Sequence, residues 1–228
     1  MKYLILVLAF GLFSIGNLSA QEKEIDKLEN TLEVLKDLQN LPLDGEQEIP
    51  SELLEMAEAV VIIPKLRKGG FVVGGKFGKG IAIIKNEDGT WSDPAFIKLT
   101  GGSLGFQIGY TSSDLFLIFK SRKTLKRLTT GKGKFTLGGD VAIAAGPKGR
   151  SASANTDLDF KAEIYSYSRS RGIFAGISLD GSELKIDDNA NETYYGDEDN
   201  GRDIIKNGSS GLKSSDVIDK IKKVLNSF

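Results

Sequence analysis

The sequence predicts an α+β domain, built on a strongly bent, mainly antiparallel, glycine-rich β-sheet or partial barrel with helices packed at its ends. Nineteen of the 27 glycines fall between Gly69 and Gly176, where they interrupt short runs of Val, Ile, Phe and Leu. Glycine accepts positive φ and has no Cβ, so this pattern indicates a sheet with tight turns and close backbone approaches. Helices do not alternate with the strands and no long repeat is present, which favours antiparallel pairing.

Composition indicates one globular domain with appendages. The chain has 228 residues, 40% apolar and 27% charged, which is ordinary for a soluble domain. Its 30 basic residues nearly balance its 31 acidic ones, so attraction to an anion must come from a local patch. The chain has no cysteine, which excludes disulfides and thiolate metal sites.

Residues 1–20 are expected to be a cleaved export signal. Lys2 supplies the positive start, Leu4–Phe13 is apolar, and small residues precede a cleavage site near Ala20. The competing interpretation is a membrane helix, but the apolar run is shorter than the roughly 20 residues that a span needs. We therefore expect a bacterial periplasmic or secreted protein.

Amphipathic helices are predicted on both sides of the sheet. Residues 21–48 form an N-terminal helix and linker, in which the helix runs from Gln21 to Leu41 and either packs on the domain or binds a partner. A second helix is expected over Ser51–Ala59, at the start of a domain spanning 49–208. Residues 209–228 form a C-terminal helix that begins at a Ser214–Asp216 cap and packs on the domain. The predicted apolar stripes are Ile25, Leu28, Leu32, Leu35 and Leu38 in the first helix, and Val217, Ile221, Val224 and Phe228 in the last.

Short apolar runs between turn residues predict the strands. Leu115–Phe119 is apolar on both faces, which indicates a central covered strand, whereas Asp157–Ile164 alternates and should have one wet face. A helix is expected over Ser121–Thr130 and a turn over Asn86–Gly89. The remaining predicted strands are Val60–Ile63, Phe71–Val73, Ile81–Ile84, Ala95–Leu99 and Leu104–Tyr110.

Enzyme chemistry is poorly supported. The chain has no histidine, which removes the commonest general base and every Ser-His or Cys-His nucleophile arrangement. Ser-x-x-Lys occurs at Ser182–Lys185 and Ser210–Lys213, but without the other motifs of β-lactamase-like enzymes. The alternative of an enzyme that uses Tyr, Asp and Lys stays open, although the spacing of these residues indicates no active site. We expect no cofactor.

The run Gly74–Gly80 resembles a phosphate loop at first sight. A phosphate loop opens a helix, whereas Ile81–Ile84 continues as a strand, so we interpret this run as a glycine-broken hairpin.

A basic segment, Lys120–Lys134, is the strongest candidate site. It carries seven bases and no acid among 15 residues, a pattern suited to anionic head groups, although a solvated helix face remains the alternative. Few aromatics interleave with the bases, so nucleic acid is not expected as a partner. The seven are Lys120, Arg122, Lys123, Lys126, Arg127, Lys132 and Lys134.

An acidic segment, Asp187–Asp203, is its counterpart. Asp197–Gly201 hints at calcium, but the spacing of a calcium-binding loop is not met, so we expect a solvated loop and no metal.

An ordered set of short motifs resembles the SYLF family over roughly residues 49–208. Each motif is weak alone, but their order is specific. They are Ile49-Pro50, Val60–Pro64, Lys68–Phe71, Gly74–Gly80, Asp88–Pro94, Gln107–Gly109, Leu137–Gly139, Ala145–Pro147, Gly149-Arg150, Tyr165–Ser168, Arg171–Gly176, Gly181-Ser182 and Tyr194–Gly196.

The resemblance implies lipid binding rather than catalysis, because eukaryotic members bind phosphoinositides through a helix at the start of the domain together with basic residues. Here that helix carries Glu52, Glu55 and Glu58 and no base. The lipid-binding role therefore passes to the basic segment. It is joined by Lys65, Arg67, Lys68, Lys76 and Lys79.

Two partners follow from these expectations. The first is an anionic phospholipid or membrane surface. The second, from another functional class, is an envelope protein that binds the Gln21–Leu41 helix of a scaffold. The family's yeast members regulate cortical actin, but actin is not expected as a partner of an exported protein.

Overall fold

A computed structural model describes residues 2–40, 49–71, 73–104, 109–130, 132–147, 161–170, 173–196, 201–209 and 214–228. Within these residues, nine strands form one bent sheet in the order β5-β9-β3-β2-β1-β4-β7-β6, with β8 also paired to β7. Every pairing is antiparallel except that of β6 with β7. The predicted α+β class is confirmed. The strands are β1 Ala59–Phe71, β2 Val73–Ile84, β3 Ala95–Leu104, β4 Gly109–Phe119, β5 Lys134–Thr136, β6 Ile143–Ala145, β7 Ile164–Ser170, β8 Ile173–Gly176 and β9 Glu183–Ile186.

Helices flank this sheet, and a single hydrophobic core joins them to it. A short 3₁₀ turn, Arg127–Thr129, continues the third helix. The helices are α1 Lys2–Gln39, α2 Ser51–Glu55, α3 Arg122–Lys126, α4 Asp188–Tyr195, α5 Gly201–Asn207 and α6 Asp216–Leu225.

The strands β1 and β2 are longer than predicted because their glycines lie inside strands. The run Gly74–Gly80 belongs to β2 and is one arm of a hairpin, not its turn. The predicted strand Phe71–Val73 is divided, since Phe71 ends β1 and Val73 begins β2, where the two residues pair with each other, and residue 72 lies outside the described residues. Gly80 shows the reason: a Cβ there would lie 2.0 Å from the Ile62 carbonyl oxygen, so glycine allows close packing rather than a turn.

Two other strand predictions need correction. The predicted strand Leu104–Tyr110 is divided, since Leu104 ends β3 and Gly109 begins β4, and residues 105–108 lie outside the described residues. The predicted strand Asp157–Ile164 is also wrong where the structure describes it. Residues 161–163 are not in a strand, β7 begins at Ile164, and 157–160 lie outside the described residues.

The predicted central strand Leu115–Phe119 is confirmed. All five side chains are buried, and their strand β4 lies between β1 and β7. The predicted turn at Asn86–Gly89 is confirmed as well, since Gly89 has φ +85° and its N–H donates to the Asn86 carbonyl.

The N-terminal helix packs on its own domain. Leu28, Leu32, Leu35 and Leu38 are buried, and α1 contacts the sheet, α4 and α6. An ion pair between Asp37 and Arg169 of β7, at 2.6 Å, adds a polar contact. Ile25, the first residue of the predicted stripe, is exposed, but the four leucines that predicted either packing or partner binding are occupied within the chain.

The other helices differ in detail from the prediction. Helix α2 ends at Glu55 because the chain enters β1 by Ala59. In α6, Ile218, Ile221, Val224 and Leu225 are buried, while the predicted Val217 and Phe228 are only half-buried. Ser215 occupies the N-cap position of α6, but its hydroxyl hydrogen-bonds the Tyr194 hydroxyl at 3.0 Å and not the helix backbone.

Candidate functional site

Helix α3 presents the first half of the basic segment. The Ser121 hydroxyl caps the helix by accepting the Lys123 N–H at 3.3 Å. Leu125 and Leu128 are buried and attach the helix to the core, as predicted. These anchors leave the basic side chains on the outer surface, where Lys123 is exposed.

A cavity of about 440 Å³ lies beside α3, and we call it the α3 cavity. It brings two predicted residues, Arg122 and Lys126, together with Lys85 after β2 and Lys206 of α5. Sequence analysis missed Lys85 and Lys206, which no spacing signal connects to α3. The remaining lining residues are Ile84, Asn86, Glu87, Asp88, Ile205, Asn207 and Gly208.

The α3 cavity has an excess of positive charge. Arg122 lies 3.6 Å from the Glu87 carboxylate, which is highly exposed. Hydrogen bonds from the Thr90 side chain and backbone lower the pKa of Asp88, so this carboxylate is charged at neutral pH. Four bases against two acids leave a net charge of 4 − 2 = +2.

The rest of the basic segment does not converge on this cavity. Arg127 donates through Nη1 to the Asp140 carbonyl at 2.6 Å, and Lys134 pairs with Glu183 of the neighbouring strand. Lys132 is exposed and Lys120 half-buried, and neither lines the cavity. The seven bases therefore divide into a pair at the cavity and several separate positions.

The predicted bases of the β1–β2 hairpin lie on two different faces of the sheet, because neighbouring residues along a strand point to opposite faces. Lys68 and Lys76 pair directly across the two strands. Burial, and then the charge of Lys76, lower the pKa of Lys68. Lys79 lies two residues from Phe77, on the face that carries Arg67.

The acidic segment begins at a carboxylate that is buried in the fold. Asp187 is buried and directly precedes α4. Its carboxylate forms ion pairs with Lys79 of β2 at 2.7 Å and with Lys98 of β3 at 3.4 Å. Burial alone would raise the pKa of Asp187, but hydrogen bonding and the charges of these lysines lower it overall. Asp197–Asn200, which had hinted at calcium, lies outside the described residues.

Asn191 of α4 has a related structural role. Its side-chain oxygen accepts the Phe96 N–H at 2.9 Å, and its amide donates to the Phe96 carbonyl at 2.8 Å. The buried Asn191 side chain thus pairs with the backbone of β3 as a neighbouring strand would.

Metal and membrane-spanning features are absent from the part of the chain that the structure describes. Within it, no three His, Cys, Asp or Glu side chains are grouped to hold a metal ion. No helix there has a stretch long and apolar enough to cross a membrane.

Comparison with known proteins supports the family resemblance. Residues 100–228 match the Ysc84 family, described as Las17-binding protein actin regulator. The LAS seventeen-binding protein 3 of Saccharomyces cerevisiae is 34% identical over 190 residues, covering 82% of this chain and 40% of that protein. The SH3 domain-containing YSC84-like protein 1 of Mus musculus is 33% identical over 180 residues, covering 79% and 52%.

Protein YSC84 of the same yeast is 33% identical over 190 residues, covering 82% of this chain and 40% of its own length. The chain therefore spans about 40 to 52% of the length of these relatives. No solved structure matches.

Proposed function

Because the chain belongs to the Ysc84 family of Las17-binding, actin-regulator type, we propose that it is a non-enzymatic binding domain whose basic segment contacts anionic phospholipid head groups. The observation that carries the proposal is the α3 cavity. There Arg122 and Lys126 meet Lys85 and Lys206 from other parts of the chain, with a net charge of +2, as counted above.

Electrostatics sets the expected strength of this contact. A basic residue near an anionic membrane contributes about 1 kcal/mol, which falls off over a Debye length of about 10 Å at 0.1 M salt. Lys123 and Lys126 together should then contribute about 2 kcal/mol, or roughly 30-fold in affinity. Neither side chain is among the ion pairs described above, so both can be replaced with little effect on the fold.

Vesicle sedimentation tests the proposal. We expect binding to phosphatidylcholine vesicles that contain phosphatidylglycerol, weak binding to pure phosphatidylcholine, and roughly 30-fold weaker anionic binding for Lys123→Gln with Lys126→Gln. The matched control is Lys220→Gln with Lys223→Gln, two α6 lysines outside the α3 cavity. Equal binding to both vesicle types, or equal losses for both double variants, would exclude the proposal.

Protein binding is the second candidate, because the yeast relative's name and the family description both specify binding to Las17. The scaffold hypothesis used the apolar stripe of the N-terminal helix, but Leu28, Leu32 and Leu35 are buried in this chain's own core. A protein partner would therefore contact a different surface. If the unmodified chain binds neither the anionic nor the neutral vesicles, this candidate is favoured.

We also propose that the protein is exported to the periplasm or secreted. The positive start and apolar run of residues 1–20 support a signal that is cleaved near Ala20. N-terminal sequencing of the protein from envelope and cytoplasmic fractions tests it. A chain retaining residue 2 in the cytoplasmic fraction would contradict export.

A further inference from the structure

Two lysines face each other on the side of the sheet away from α1, and we call them the lysine pair. Lys68 of β1 lies directly opposite Lys76 of β2, and Thr111 of β4 lies opposite Lys68 on its other side. Residues that oppose each other on antiparallel strands have Cβ atoms about 4.5–5.5 Å apart. The two ammonium groups therefore share one small region of the sheet surface.

A bulge in β1 separates the lysine pair from the bases that face α1. The register of β1 on β2 shifts before Arg67, and Gly78 leaves room for the shifted backbone, because a Cβ there would lie 2.4 Å from a β1 side chain. Within the bulge, Lys65 has φ +56° and its Nζ donates to Asn30 Oδ1 of α1 at 2.7 Å. Arg67 and residues of α1 line one groove, so Lys68, the next residue along the strand, points to the opposite face.

No carboxylate balances the lysine pair within the part of the chain that the structure describes. Neither lysine forms an ion pair there, and Lys76 Nζ donates to the Ser178 backbone carbonyl at 3.4 Å. The Asp180 carboxylate accepts the Ser178 hydroxyl at 2.7 Å. Asp114 of β4 lies on the other face from Thr111 and pairs with an arginine of β7. The pair is thus two like charges without a counter-ion.

These surroundings make Lys68 more nucleophilic than an exposed lysine. Burial, and then the charge of Lys76, lower the pKa of Lys68, which favours its neutral amine. Nucleophilic lysines are typically activated in this way, by desolvation or by a neighbouring cation. The same face carries glycines around the pair, so a small electrophile has room to approach the amine. These are Gly70, Gly74 and Gly101.

We propose that the Lys68 amine binds carbon dioxide as a carbamate, which pairs with the Lys76 ammonium and accepts a hydrogen bond from the Thr111 hydroxyl. The nitrogen lone pair forms the N–C bond, one C–O π pair moves onto oxygen, and an N–H proton passes to solvent. The neutral amine thereby becomes an anion, and repulsion between opposed residues is replaced by attraction. An acyl donor would leave a neutral amide, whereas carbon dioxide supplies the anion that the pair lacks.

NMR of the full chain with isotopically labelled bicarbonate detects the adduct, and ethyl transfer from triethyloxonium followed by peptide mass mapping identifies the modified residue. At fixed dissolved carbon dioxide, occupancy at Lys68 should rise from about pH 6 to about pH 9, because only the neutral amine reacts. The exposed Lys123 should carry at least about tenfold less adduct at each pH, since its amine has no neighbouring cation from an opposed strand. No adduct at Lys68, or equal occupancy at Lys123, would overturn the proposal.

Variants of Lys76 test the role of the pair. Lys76→Gln should lower occupancy at Lys68 roughly tenfold, because it removes both the repulsion of the ammonium form and the attraction of the carbamate. Lys76→Arg keeps the cation and should restore occupancy to within about twofold. Lys68→Arg should abolish the adduct at that position, since a guanidinium is not deprotonated.

The matched control is Lys185→Gln. Lys185 aligns with Lys98 and Lys79 across the strands, so it removes one cation from the opposite face of the sheet and should leave occupancy at Lys68 unchanged. Full occupancy in Lys76→Gln, or an equal loss in Lys185→Gln, would show that the lysine pair is not the cause. The measurement uses no vesicles, so it can fail or succeed independently of the lipid contact proposed for the basic segment.

Discussion

Replacing Gly80 by alanine should destabilise the domain severely, whereas the same change at Gly75 of the same strand should be tolerated. A Cβ at position 80 would lie 2.0 Å from the Ile62 carbonyl oxygen and 2.7 Å from the Ile63 Cα. Both are backbone atoms of the adjacent strand, so rotation of a side chain cannot relieve the contact. At position 75 the nearest atom is the Gly101 carbonyl oxygen, 3.9 Å away.

The magnitude follows from these distances. Ordinary contact begins at 3.4 Å, so β1 and β2 must separate by 3.4 − 2.0 = 1.4 Å at Gly80. Overpacking costs about 1–3 kcal/mol, and each ladder hydrogen bond lost adds about 1 kcal/mol. We therefore expect Gly80→Ala to lower the free energy of unfolding by about 3–4 kcal/mol. Gly75→Ala should change it little, or raise it by about 0.4–1 kcal/mol through the unfolded chain.

Urea denaturation followed by circular dichroism measures both variants. With a slope of about 2–3 kcal/mol/M, a loss of about 3 kcal/mol lowers the midpoint by about 1–1.5 M. If the two midpoints fall together, or if Gly80→Ala unfolds at the same urea concentration as the unmodified chain, close packing of β1 on β2 is not why glycine occupies this position.

Two further predictions concern the buried polar groups beside β3. At neutral pH, Asp187→Asn should cost about 1–3 kcal/mol, because Lys79 and Lys98 lose their carboxylate partner but are exposed enough for water to offset part of the loss. The pKa of Asp187 is lowered in the folded state, so the stabilisation is present above its unfolded pKa of about 3.8 and is lost as pH falls through the folded value. Urea midpoints between about pH 2 and pH 7 should therefore converge for the two proteins at the acidic end, and a constant difference would contradict the ion-pair explanation. Asn191→Leu should lower the free energy of unfolding by about 2–4 kcal/mol, because the Phe96 N–H and carbonyl lose the side chain that pairs with them. Thermal melts measure this loss, with Asn189→Leu as the control at an exposed site of the same helix. Equal melting temperatures for the two variants would contradict the prediction.

Local sequence patterns predicted the elements that depend on local physics. The run Leu115–Phe119 is apolar on both faces and is a buried central strand, and the leucine stripe of α1 is buried as its spacing indicated. Helix α3 begins after Ser121 because a hydroxyl there can satisfy a free N–H, a signal carried by a few adjacent residues.

The failures occur where a residue has more than one possible use. Glycine marks both turns and close strand packing, and the sequence cannot tell which neighbour will approach Gly78 or Gly80. The sequence showed Asp187 only as one acid of an acidic segment, because its partners, Lys79 and Lys98, are about a hundred residues away in the sequence and reach it only across the sheet.

The candidate site was predicted only in part for the same reason. The charge asymmetry of Lys120–Lys134 is visible in the sequence, and it includes Arg122 and Lys126. The sequence could not show that Lys85 and Lys206 join them, or that Arg127 and Lys134 are engaged elsewhere.

The sequence by itself determined the fold class, the family, the central strand and the absence of histidine and cysteine chemistry, because these depend on composition, periodicity and short motifs. The tertiary structure alone decided which bases share a surface, that the N-terminal helix packs on its own sheet, and that a bulge over Gly78 turns Lys65 toward α1. The physical reason is that charge and packing act through space, across strand pairings whose register depends on the whole sheet.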